Sequence, residues 1–114
     1  MGKRILLVCS EPRISAGVAH ALISEGHMVV ASSDIMEALD QVAQGGFDVG
    51  LIDAELSGVI SGPALARRCA ILAPRMKILL ITPDAPRIKG GRIAIVPKPQ
   101  SLGDVRSMLH VVGG

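Results

Sequence analysis

The chain has 114 residues and a net charge of +2, enough for one domain whose core buries roughly two-thirds of the surface that the unfolded chain exposes. Hydrophobic residues make up 49% of it and aromatic ones 1%, so Ile, Leu, Val, Ala and Met must fill the interior, as in a parallel sheet covered on both faces. With no Trp or Tyr it lacks the stacking platforms of single-stranded nucleic-acid binders, and with no long apolar run or signal peptide it reads as a cytoplasmic protein that contacts neither nucleic acid directly nor membrane.

Residues 4–9 (RILLVC) read as a first strand, and Pro12 is placed to open the helix after it. In that helix Ile14, Val18, Ala21 and Leu22 recur at helical spacing, and Gly26 stops it. A second strand over 27–32 is followed by Asp34 and Glu37, a capping-box pair for a helix with Ile35, Leu39 and Val42 on its inner face; Gly45 and Gly46 end that helix. The third strand covers 48–53. A Ser- and Gly-rich loop from Ser57 to Gly62 then leads into a helix with Leu65, Cys69 and Leu72 inward, cut off by Pro74.

The fourth strand spans 77–82 and the fifth 93–96. Between them Pro83, Pro86, Gly90 and Gly91 disfavour helix, so the fourth helix is expected to be a single turn or missing. Ser101 and Asp104 cap a last helix striped with Leu102, Val105, Leu109 and Val112. Strands alternate with helices throughout, which predicts parallel crossovers and a doubly wound α/β sheet in one domain over residues 1–114. Met28, Met36, Met76 and Met108 read as core or edge filling, and His20, His27 and His110 as single surface decorations. Acidic side chains concentrate before residue 60 and basic ones after it, the pair Arg67 and Arg68 among them; these read as solvated helix faces and loops. Cys9 and Cys69 belong to no C-x-x-C pattern and read as reduced thiols.

Three aliphatic strands end on one functional side chain each: Asp53, Thr82 and Lys98. In a parallel sheet the strands finish at one edge, so these groups should share a crevice. Taken singly, Asp53 is a turn former and Lys98 a surface charge. With both in one crevice, an ion pair bracing the sheet edge is the plain structural alternative.

The order of elements, the stretch from Phe47 to Gly58 (FDVGLIDAELSG), the strand-ending Thr82 and the pair Lys98-Pro99 resemble a response-regulator receiver domain, CheY-like, over essentially the whole chain. The resemblance implies a flavodoxin-like sheet of order 2-1-3-4-5 and a role in two-component signalling. It makes Asp53 the phosphoacceptor, Thr82 the switch hydroxyl, Lys98 the phosphate-neutralising ammonium, and Pro99 the residue after a frequently cis bond. The implied partners are a histidine kinase or phosphotransfer protein and a downstream protein, with homodimer formation an option. The chain is then no enzyme beyond self-catalysed phosphoryl transfer, and is either a whole regulator or the receiver part of a longer one.

Two departures qualify the resemblance. Where the family ends its first strand with two acidic residues that hold Mg²⁺, this chain has Cys9 and Ser10. Asp53, the Glu55 carbonyl and weak help from Ser10 or Glu11 are left, so Mg²⁺ binding should be weak or absent. Ile95 also replaces the family's switch aromatic, which removes the coupling of Thr82 to a rotating ring. A pseudo-receiver that works without phosphorylation is therefore the alternative reading. Cys9 itself resembles the strand-end cysteine of small tyrosine phosphatases or phosphotransferase B subunits. The phosphatase loop needs an Arg six residues on, and position 15 is Ser, so Cys9 reads as a buried small hydrophobe.

Overall fold

A computed structural model of the protein describes residues 2–56, 58–82 and 93–97. Its elements are β1 (Arg4–Val8), α1 (Pro12–Ser24), β2 (Met28–Ser32), α2 (Ile35–Gln44), β3 (Val49–Asp53), α3 (Gly62–Leu72), β4 (Lys77–Thr82) and β5 (Ile93–Pro97). The strands form one parallel sheet in the order β2-β1-β3-β4-β5. This is the flavodoxin-like topology expected, and the strand boundaries agree with the sequence reading to within one residue. The shortened fourth connection (83–92) and the last helix lie outside the described residues.

The pleat divides the aliphatic strands between two cores. Ile5, Leu7, Val49, Leu51, Leu79 and Ile81 point to one face, where Val18 and Leu22 of α1 cover them. Leu6, Val8, Ile52 and Ile78 point to the other, under Ile35, Ala38 and Val42 of α2 and Leu65, Ala66 and Cys69 of α3. Successive side chains alternate across a strand, so a run that is aliphatic at every position is what a sheet buried on both sides requires.

Helix ends are set by local chemistry. At the end of α1 the His27 amide donates to the Leu22 carbonyl at 3.1 Å and the Gly26 amide to that of Ile23 at 2.9 Å. This Schellman arrangement depends on Gly26 at φ 91°, a left-handed conformation. Asp34 caps α2 by accepting from the Met36 amide at 2.9 Å, as expected. The reciprocal half of the capping box differs: the Asp34 amide donates to the buried Ser32 Oγ at 3.2 Å rather than to Glu37. Asp34→Ala should lower stability by about 1 kcal/mol in urea unfolding, whereas Glu37→Ala should change it far less.

Several side chains depart from their expected places. Leu72 is half exposed; together with Leu39, Asp40, Ala43, Arg68 and Ile71 it lines an open groove of about 460 Å³ between α2 and α3. Of the described methionines, Met28 and Met36 stand in solvent and Met76 fills the core, because β2 is the sheet edge and Met36 lies on the outer face of α2; Met108 lies outside the described residues. His27 is structural: its Nδ1 accepts from the Lys3 amide at 3.0 Å and ties the start of the chain to β2.

Cys69 is fully buried, and burial pushes its thiol from 9.0 up to about 11. The folded state thus favours the protonated form, a contribution complete below pH 9 and lost as pH rises through about 11. Stability should fall by about 2 kcal/mol over that window, with no Tyr titrating alongside, and the Cys69→Ala variant should lack this component of the decline.

Candidate functional site

Asp53 ends β3 on the same face as Val49 and Leu51, and Cys9, one residue past β1, continues the face of Ile5 and Leu7. Because β1 and β3 are neighbours in register, Val8 against Ile52, the two residues that follow meet at the carboxyl edge of the sheet. Asp53 is 1% exposed and Cys9 4%. The thiol lies 3.6 Å from Asp53 Oδ2, to which it donates, and 3.7 Å from the Glu11 carbonyl oxygen. The Glu55 amide donates to Asp53 Oδ1 at 2.9 Å. The Cys9 amide donates to the Ser32 carbonyl at 3.1 Å and so fixes the residue on the β1–β2 ladder.

Thr82 sits half-buried at the end of β4, one strand over. The register sets Asp53 against Ile81, and the Ala54 amide donates to the Ile81 carbonyl at 2.7 Å, so Thr82 is the next residue at the same edge. Ser10 and Glu11 are exposed on the loop that opens α1, and Glu55 is exposed beyond β3. The structure thus brings Asp53 and Thr82 to one rim, as expected, and Lys98 and Pro99 lie outside the described residues. Ile95 is half-buried in the middle of β5 beside Leu80.

The sequence reading missed two parts of this site. Cys9 is buried, as expected, but is a hydrogen-bond partner of Asp53 rather than a plain hydrophobe; the signal was its position on the pleat, in phase with Asp53. The other is Gly62. At the first turn of α3 a β-carbon would overlap the Asp53 carbonyl oxygen and lie 2.9 Å from the Ala54 backbone. A glycine followed by Pro63, where most residues would start a helix, was the clue to that contact.

The donor set matches Mg²⁺ poorly. That ion requires near-octahedral oxygen ligands, and here sulfur stands beside Asp53, the one buried carboxylate among the described residues. Among the described residues no three His, Cys, Asp or Glu side chains gather as a metal cluster. None of the described helices is long and apolar enough to cross a membrane.

No protein-family model matches the chain. The transcriptional regulatory protein TcrA of Mycobacterium tuberculosis H37Rv is 29% identical over 116 residues, 97% of this chain and 46% of that protein. The chain therefore spans about half the length of the curated relatives it matches. Among solved structures, a CheY-like response regulator receiver domain protein from Methanospirillum hungatei JF-1 superposes with a TM-score of 0.84 at 25% identity, over 99% of this chain and 92% of that one. The response regulator TrrA, solved in complex with the histidine kinase ThkA, gives 0.78 at 24% identity, over 98% and 99%. Topology and these neighbours together give the chain a CheY-like fold, similar to that of response-regulator receiver domains.

Proposed function

We propose that the domain takes its signal as a phosphoryl group on Asp53, with little help from Mg²⁺, and passes it to a downstream protein through its surface. One observation supports this above the others: Asp53 ends β3 with Oδ1 held by the Glu55 amide and Oδ2 accepting the weak thiol donor of Cys9. Oδ2 is the oxygen that would attack a phosphoryl donor once the thiol turns aside. Transfer of this kind is carried by positioning and by positive charge at the phosphoryl oxygens. Thr82 would engage the phosphoryl group from the neighbouring strand, and Lys98, assigned by resemblance alone, would neutralise it. A histidine kinase or phosphotransfer protein is the natural donor, as the ThkA–TrrA pairing suggests for a related fold.

A second reading, a receiver that signals without phosphorylation, is favoured by Cys9 and Ser10 in place of acids and by Ile95 in place of a switch ring. Incubation with acetyl phosphate and Mg²⁺, followed by intact-mass measurement, decides between them. The expected product carries one phosphoryl group and is absent in Asp53→Asn. An unmodified chain at saturating donor would leave the phosphate-independent receiver standing. An adduct that survives Asp53→Asn and is blocked by iodoacetamide would place the chemistry on Cys9.

A further inference from the structure

The face that α2 and α3 turn away from the sheet has two walls of opposite charge. Glu37 and Asp40 are the charged residues of α2, Arg67 and Arg68 those of α3, and all four are exposed. Between the walls runs the open groove, with Leu39, Asp40 and Ala43 on one side and Arg68, Ile71 and Leu72 on the other. Ile71 is 77% exposed and Leu72 50%, and neighbouring large aliphatic side chains left in water mark a contact surface where scattered ones do not. Each helix starts near the carboxyl edge of the sheet and runs back, so residues 39–43 and 68–72, in the later halves of α2 and α3, lie toward the edge away from Asp53. The groove is separate from the Asp53 rim.

A partner of one charge sign would be drawn to one wall and repelled by the other, whereas a second copy of the chain carries both signs. Turned about a two-fold axis along the groove, the second copy lays its α3 on this α2 and its α2 on this α3. Asp40 then meets Arg68 of the second copy, and the reciprocal pair forms by symmetry. Ile71 and Leu72 fall against Leu39 and Ala43 of the second copy, where the small Ala43 leaves room for Ile71. A two-fold axis across the groove would instead set acid on acid and base on base. We propose that the α2–α3 face is a self-association surface through which two copies pair about an axis parallel to these helices. The helices, of 10 and 11 residues, are about 15 Å long and together about 20 Å wide, a footprint of roughly 300 Å² per copy. Two such footprints fall below the ~1,200 Å² at which stable complexes begin, so the dimer is reversible and breaks on dilution. The inference goes beyond the signalling reading and does not depend on whether Asp53 accepts a phosphoryl group.

The test is sedimentation velocity of the full chain from micromolar to millimolar concentration. The wild-type mass should rise toward twice the monomer value and fall back in high salt. Asp40→Arg and Arg68→Asp, both at exposed positions, should each weaken association on the order of tenfold, because either one opposes like charges twice in a symmetric pair. Mixing these two variants should restore association, since each supplies the charge that the other has lost, and the double variant should associate as wild type does. Ile71→Ser should weaken association without a change of charge. A wild-type chain that stays monomeric at millimolar concentration would overturn the proposal and leave the groove to another protein or to a further part of a longer chain. Dimers that survive both single swaps, or a mixture no stronger than its components, would overturn it as well by placing the contact elsewhere. Circular dichroism checks the fold of each variant, and the wild-type series needs none. The acetyl phosphate experiment reports on phosphorylation separately.

Discussion

Gly62→Ala is expected to lower unfolding stability by roughly 3 to 4 kcal/mol, more than any ordinary surface change, although it adds a single methyl group. The β-carbon would meet backbone, the Asp53 carbonyl and the Ala54 main chain, and backbone cannot turn aside as a side chain can. Either α3 lifts from the sheet, opening the contacts of Leu65, Ala66 and Cys69, or the loop after β3 moves and carries the Glu55 amide away from Asp53 Oδ1. Denaturant unfolding measures the first effect. Amide exchange at Glu55 measures the second, and protection there as in wild type would show that the loop does not yield. Gly17→Ala is the control: nothing lies within 4 Å of the added carbon, and its exposed helical site should gain modestly from the higher helix propensity of alanine.

The largest functional change should come from Cys9→Asp combined with Ser10→Asp. Two carboxylates would then join Asp53 at the rim, and like charges at about 4 Å repel by several kcal/mol even at an effective dielectric of 20. The metal-free double variant should therefore be less stable than wild type. Mg²⁺ should reverse this, since a ligand at a hundred times its dissociation constant stabilises by about 2.7 kcal/mol, roughly 10 °C or more in melting temperature for a domain of this size. Wild type should show no comparable shift. A flat Mg²⁺ response in the double variant would mean that positions 9 and 10 do not border the cation's place.

The two buried faces explain why the strands were legible. Leu6 and Leu7 point in opposite directions, yet both are buried, so β1 shows as an unbroken aliphatic run whatever its register. Helix ends were legible where the chemistry is local, as at Gly26 and Asp34. Leu72 was misjudged because helical spacing fixes which residues share a stripe but not how far the neighbouring helix reaches along it, and α2 does not cover the end of α3. His27 was misjudged for a similar reason: its partner, Lys3, is remote in sequence and reaches it only through the pairing of β1 with β2.

Sequence alone determined the alternation of strand and helix up to β4, the parallel sheet and the strand-end places of Asp53 and Thr82, because each follows from local pattern and from the rule that parallel strands finish together. Only tertiary structure decided that the Asp53 carboxylate rests against the Cys9 thiol and that α3 begins in contact with the Asp53 carbonyl. Those contacts join residues far apart along the chain, and their distances depend on strand register and helix placement, quantities that no local pattern encodes.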